Sequence, residues 1–197
     1  MKFSIITPTV ERESLIKCVE SVLSQSFTDW EMLIQVDKTN IDQAFFERIS
    51  PTRKIWIEEC GVCHRNGGNT CRHLAWQRAT GEWCIYLDDD NYLSTPRILE
   101  MLSSLLEGVE EEWALFPIFR HGSVFFFDPP KPCYFDTGNA VVRREIAPWP
   151  DIPDYASDAV WLTETLLKHP YKAFPNAQPI MVMPMTSFGA GGGINGQ

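Results

Sequence analysis

Five apolar residues followed by three carboxylates, Trp83-Cys84-Ile85-Tyr86-Leu87-Asp88-Asp89-Asp90, constrain this chain more than any other segment. A continuous apolar run of this kind fits a strand buried on both faces, as in the interior of a parallel sheet. Open α/β sheets bind ligands beyond the carboxyl ends of their strands, and that is where the acids fall. Three adjacent carboxylates in an apolar setting repel one another and raise each other's pKa, so a cation among them is the expected complement. Oxygen ligands from one or two carboxylates suit Mg²⁺ or Mn²⁺, which complete their shells with water and substrate phosphates. The cluster therefore points to a metal that holds a diphosphate. The alternative is an acidic turn ahead of the helix near Thr95-Pro96, although a helix cap needs only one acid.

The flanking sequence supplies the rest of such a sheet. Strand patterns at Phe3 to Thr7, Trp30 to Val36, Lys54 to Glu58 and Glu82 to Leu87 alternate with helical spacing over Glu13 to Gln25, Ile41 to Ile49 and Asn69 to Ala79. Such alternation predicts right-handed βαβ units and a mainly parallel sheet flanked by helices. After a helix over Ile98 to Leu106 the pattern changes. Trp113 to Phe119, Ser123 to Phe127 and Thr137 to Arg143 are strand candidates separated by the turn signals His121-Gly122 and Asp128-Pro129-Pro130, which predicts a small antiparallel extension. A helix over Asp158 to Lys168 and a strand over Ile180 to Met183 complete the pattern. We expect one α/β domain over residues 1–188, with a nucleotide-binding half at 1–92 and an acceptor half at 93–188. The glycine-rich residues 189–197 are expected to form a mobile tail.

Composition excludes several classes. The 197 residues are 44% hydrophobic and 22% charged, enough to bury a full core, and the formal charge of −9 argues against nucleic-acid or anionic-lipid binding, which needs excess Lys and Arg. The apolar run at Met1 to Pro8 is too short for a signal peptide, and no stretch has the length of a membrane span. A cytoplasmic protein with free thiols is therefore expected, the six cysteines being scattered through a chain large enough to need no staples.

Four segments carry a resemblance. Ser4-Ile5-Ile6-Thr7-Pro8-Thr9, the run Ser21 to Glu31, the stretch from Cys71-Arg72 to Ala79-Thr80-Gly81-Glu82-Trp83, and the Asp88-Asp89-Asp90 cluster resemble, in order and spacing, family 2 glycosyltransferases of the GT-A fold. The resemblance spans residues 2–100 and, more weakly, 136–168. It implies a metal-dependent transfer of a sugar from a nucleoside diphosphate donor, a UDP-sugar in the first instance, to a hydroxyl of a glycan or glycolipid acceptor. It further implies that Thr7, Pro8 and Thr9 line the base pocket and that Asp37 lies near uracil or ribose. Arg72 would meet base or phosphate oxygens, helped by the close backbone approach that Asn66-Gly67-Gly68-Asn69 allows. Asp90 would ligate Mn²⁺ or Mg²⁺ directly, with Asp88 and Asp89 acting through water or on ribose and sugar hydroxyls. Asp158 would be the base of an inverting transfer, with Asp154 and Glu164 as alternates, and Asp136 and Asn139 would meet acceptor hydroxyls. Trp149, Tyr155 and Trp161 are candidates for stacking on sugar rings.

Blander roles remain open for several of these residues. Asp37 and Asp158 also suit a turn and a helix N-terminus, the glycine loop suits a helix start, and most aromatics in such a chain are core. Cys60-Gly61-Val62-Cys63-His64 spells a haem c attachment motif, which an α/β chain without an export signal does not support. A zinc site drawn from Cys60, Cys63, His64, Cys71 and His73 is the other reading of that window, without the usual second CxxC. Two further functions stand beside transfer of a sugar. One is a nucleotidyltransferase, which typically opens with a glycine-rich basic loop, whereas Thr7 to Arg12 has no glycine and one basic residue. The other is a noncatalytic nucleotide-sugar or glycan-binding module.

Overall fold

In the computed structural model, which describes residues 2–49, 52, 54–150 and 157–184, the strand and helix alternation is realised. β1 (Phe3–Thr9), α1 (Ser14–Leu23), β2 (Trp30–Val36), α2 (Gln43–Glu47), β3 (Ile55–Glu59), α3 (Asn69–Arg78) and β4 (Trp83–Tyr86) follow one another. Then come β5 (Tyr92–Leu93), α4 (Ile98–Leu105), β6 (Trp113–Leu115), β7 (Ile118–Arg120), β8 (Ser123–Phe125), β9 (Ala140–Arg143), α5 (Ser157–Glu164), β10 (Tyr171–Ala173) and β11 (Met181–Met183). A seven-stranded sheet runs β10-β6-β9-β4-β1-β2-β3. β1 pairs in parallel with β2 and β4, and β2 with β3, while β9 lies antiparallel between β4 and β6. A second sheet, β5-β11-β7-β8, is antiparallel apart from the β11 to β7 pair.

Residue alternation explains why the apolar runs are continuous. On β4, Trp83 and Ile85 join Phe3, Ile5, Met32 and Ile34 in a core under α1, α2 and α4. Cys84 and Tyr86 join Ile6, Leu33, Trp113, Val142, Trp149 and Trp161 in a second core under α3 and α5. Both faces of the sheet are thus covered, and the mean burial of about 1.5–3 kcal/mol per large apolar side chain is available twice along each strand.

The last part of the chain departs from the expected elements in three places. The segment Trp113 to Phe119 is two strands in different sheets, because Pro117, which has no N–H to donate, breaks the ladder between them. The expected strand Thr137 to Arg143 begins only at Ala140. Its first three residues form a 3₁₀ turn held by a capping box, in which the Asp136 carboxylate accepts from Gly138 N (3.0 Å) and Asn139 Oδ1 accepts from Asp136 N (3.0 Å). The helix expected to reach Lys168 ends at Glu164 and continues as a 3₁₀ turn over Leu166–Lys168. β5 and β10 are too short to show a period and were not expected.

One polar network in the core fixes the joint between α3 and β4. The Glu31 carboxylate accepts from Ser4 Oγ (2.6 Å), Thr80 N (2.7 Å) and Thr80 Oγ1 (2.8 Å), and Gly81 N donates to Ser4 Oγ (2.8 Å). A Cβ on Gly81 would lie 2.5 Å from Ser4 N and 2.7 Å from the Phe3 carbonyl carbon, backbone atoms held in the middle of the sheet. Gly81→Ala is therefore expected to cost about 2–3 kcal/mol, or roughly 5–10 °C in Tm for a domain of this size. Thermal denaturation checks this, and an unchanged Tm would mean that β1 can shift to admit the methyl group.

Candidate active site

The carboxyl ends of β1, β2 and β4 open into a cleft of about 390 Å³. Pro8 and Thr9 end β1, Arg12 comes from the loop that follows, and Asp37 directly follows β2. Cys63, Arg65, Gly67 and Gly68 form the facing wall, Arg72 stands in the first turn of α3, and Asp88, Asp89 and Asp90 follow β4. Asp37 is buried, and its carboxylate accepts from the backbone N–H groups of His64 (2.6 Å) and Arg65 (2.9 Å), so it pins that wall to the end of β2. Gly68 has φ +80°, and a Cβ there would stand 2.8 Å from the Pro8 Cβ. Glycine lets the loop close onto β1 and start α3 at the cleft edge.

Electrostatics in the cleft are strongly perturbed. Arg72 is 6% exposed, bonds Asp88 with one guanidinium nitrogen, donates to Gly67 O (2.8 Å) with another, and lies 4.8 Å over the Trp149 ring. Burial opposes its charge, but Asp88 outweighs burial and raises its pKa. Asp89 accepts from Thr9 Oγ1 (2.7 Å), and Arg12 Nη1 reaches both Asp89 Oδ1 (3.2 Å) and Asp90 Oδ2 (3.4 Å). Burial lifts the Asp89 carboxyl above its usual range. Burial, then the charges of Asp88 and Asp89, push Asp90 up to about 6. Asp88 thus turns to Arg72, while Asp89 and Asp90 share one half-exposed guanidinium. An oxygen-only donor set with excess negative charge fits a divalent ion held by one or two of these carboxylates, with coordination left for phosphate oxygens.

Beyond Arg72 lies a second acidic group. Burial pushes Asp136 up to about 6, with the nearby Asp88 and Asp158 charges adding to the effect. Asp158 sits in the first turn of α5, accepts from Ala159 N (2.8 Å), and is raised by burial, with Arg72 and Asp88 within electrostatic reach. Asp88 therefore joins the acidic end of the cleft to the α5 side.

Most of the expected residues meet here, and some do not. Pro8, Thr9, Asp37, Arg72, Asp88, Asp89 and Asp90 line one cleft. Thr7 is a correction, being a fully buried residue of β1 turned toward Cys18 rather than facing the cleft. Asn139 is another, because its amide donates to Phe116 O (2.8 Å) and Phe125 O (3.4 Å) and so ties the two sheets together in the interior. Trp161 and Trp149 are core as well, packed with Tyr86 at centroid distances of 4.8–5.0 Å. Glu164 is exposed and pairs with Lys168, and Asp154 and Tyr155 lie outside the described residues, as does the expected tail. Arg12 and Arg65 are cleft residues that the motif reading passed over. A basic residue just past the carboxyl end of the first strand is the signal that would have found Arg12.

Comparison with known proteins agrees with this geometry. The profile of Glycosyl transferase family 2 matches residues 4–162, and the chain belongs to that family. The GalNAc(5)-diNAcBac-PP-undecaprenol beta-1,3-glucosyltransferase of Campylobacter jejuni is 25% identical over 112 residues, covering 54% of this chain and 35% of that protein. The putative teichuronic acid biosynthesis glycosyltransferase TuaG of Bacillus subtilis is 29% identical over 110 residues, covering 53% and 42%. The chain therefore spans well under half the length of these curated relatives. Among solved structures, S. aureus TarS 1–349 in complex with UDP superposes with a TM-score of 0.76 at 16% identity, covering 92% of this chain and 60% of that one. The mannosyltransferase PcManGT from Pyrobaculum calidifontis, in complex with GDP-Man and Mn²⁺, gives 0.68 at 16% identity over 92% and 56%. These likenesses establish the GT-A fold. Among the described residues no helix is long and apolar enough to cross a membrane.

Proposed function

We propose that this chain is a metal-dependent glycosyltransferase domain that moves a sugar from a UDP-sugar to a hydroxyl of a glycan or glycolipid acceptor, with inversion at the anomeric carbon. The observation that carries the reading is the convergence of Asp88, Asp89 and Asp90 with Arg12, Arg72 and the 60–68 loop in one cleft at the carboxyl ends of β1, β2 and β4. UDP in the TarS structure, and GDP-Man with Mn²⁺ in the mannosyltransferase, support a nucleoside diphosphate donor and a divalent ion.

Each cleft residue has a task that its chemistry allows. Thr9 and Pro8 form the floor for the nucleoside, and Asp37 sets the opposite wall through the loop amides. Arg72, always charged and already braced by Asp88, offers its fork to anionic oxygens. A divalent ion on Asp90, helped by Asp89 or Asp88, would act as a Lewis acid on the departing diphosphate. Asp158 takes the acceptor proton from the α5 side, and Asp136 shapes that side.

The test is a panel of nucleotide sugars, each with and without Mn²⁺, read by thermal shift and by release of nucleoside diphosphate. A UDP-sugar that stabilises the chain only with the metal, and yields UDP when an acceptor is present, is the expected result. Binding without turnover would leave a donor-binding module, and release of pyrophosphate would indicate nucleotidyl transfer.

A further inference from the structure

Half of the chain's ten cysteines and histidines fall within residues 60–73, and the fold decides which of them converge. His73 is turned away, its ring in contact with Trp149 O (2.9 Å) and Gln77 Nε2 (3.0 Å). Cys63 is exposed on the nucleotide cleft. The remaining three lie close to Asp37 at the edge of the cleft. Cys60 Sγ, a His64 ring nitrogen and an Asp37 carboxylate oxygen all lie within 4.8 Å of one another, and Cys71 Sγ stands 3.1 Å from Cys60 Sγ.

We propose that Cys60, Cys71, His64 and Asp37 form a four-ligand site for a borderline-soft divalent ion of the zinc class, at the base of the loop that walls the nucleotide cleft, with Asp37 shared between the site and the cleft lining. Two thiolates, an imidazole and a carboxylate are zinc ligands, and a tetrahedral site places its ligand atoms roughly 3.3–3.8 Å apart. Three of the four ligand atoms already lie within 4.8 Å of one another, Cys71 joins them through its 3.1 Å approach to Cys60, and His64, exposed at the surface, has room to turn its ring. Asp37 already carries the outer hydrogen bonds that orient a ligating carboxylate, from His64 N and Arg65 N, and it keeps lone pairs for an ion.

Four protein ligands make a closed site, structural rather than catalytic. It would clamp the end of β3 to the first turn of α3 across the loop that carries Arg65, Gly67 and Gly68, with Cys71 adjacent to Arg72. The site is separate from Asp88–Asp90 and stands whether or not the chain transfers sugar.

The experiment measures metal content of the reduced, purified chain and then replaces the metal with Co²⁺. About one zinc per chain is expected, and the cobalt form should show thiolate-to-metal charge transfer, a band that the carboxylate cluster cannot produce because it contains no sulfur. Cys60→Ser, Cys71→Ser and His64→Ala should each lose the metal and the band, whereas Cys63→Ser should keep both. A chelator arm on the unmodified chain needs no variant to fold: metal removal should speed proteolysis within 60–68, and added Zn²⁺ should reverse it. Absence of zinc from the reduced chain together with no Co²⁺ charge-transfer band overturns the proposal, as does a Cys60–Cys71 disulfide in its place or a Cys71→Ser variant that retains full metal content.

Discussion

Asp90→Asn is expected to make the metal-free chain more stable while abolishing the stabilisation that Mn²⁺ and UDP confer together. Asp90 is pushed up to about 6 first by burial and then by Asp88 and Asp89, so its ionised form is strained in the folded state. The sign follows from linkage. A carboxyl whose folded pKa lies above its unfolded value stabilises the fold fully at pH below about 4, and that contribution is lost as pH rises through about 6. The metal-free parent should therefore lose stability between pH 4 and 6, the effect of Asp136 at about 6 adding to that of Asp90. An amide at position 90 removes the charge, and the gain at pH 7.5 should be about 1–2 kcal/mol, or roughly 2–6 °C. Stabilisation by Mn²⁺ with UDP has the opposite pH dependence, since the ion needs the ionised carboxylate: large at pH 7.5 and fading as pH falls below about 6. Differential scanning fluorimetry across pH reads both curves. A variant whose response to Mn²⁺ matches the parent's would remove Asp90 from metal ligation.

The parts of this molecule that were legible in the sequence are those where one residue type has one physical use. The apolar run Trp83 to Leu87 fits a strand covered on both faces, and its two sets of alternate residues do serve two separate cores. The acids after it had to face the strand ends. Pro117 carried a break that its apolar neighbours concealed, since Trp113 to Phe119 keeps strand composition across the point where the chain changes sheets. Asn139 and Trp161 were misplaced for a different reason. Amides and indoles are used alike for sugar contact and for tying a core together, and only the packing of β9 against β6, and of Trp161 against Tyr86 and Trp149, selects the second use. Arg12 escaped notice because a lone arginine in a loop has no periodicity or partner spacing. Its role emerges only when the fold brings Asp89 and Asp90 to within 3.4 Å of it, some eighty residues later in the chain.

Asp158→Asn is expected to leave binding of UDP-sugar and Mn²⁺ near normal and to lower the transfer rate by about 10²–10⁴-fold, since an amide cannot accept the acceptor's proton. The geometry favours Asp158 over Asp136 as that base. The Asp136 carboxylate is built into a capping box with Gly138 N and Asn139, and burial holds it near 6. Asp158, in the first turn of α5, accepts among the described residues from the amide of its neighbour Ala159, and is raised by burial in a site also within reach of Arg72 and Asp88. A raised pKa brings a carboxylate closer to the pH at which a general base works best. The rate should therefore fall on the acid side of a kcat profile as Asp158 protonates, and that limb should vanish in Asp158→Asn. Asp136→Asn keeps an oxygen to accept from Gly138 N, so it should disturb acceptor KM more than kcat. If instead Asp136→Asn stops transfer and Asp158→Asn does not, the two carboxylates exchange roles. A product that retains the donor's anomeric configuration would remove the direct inverting displacement that requires such a base.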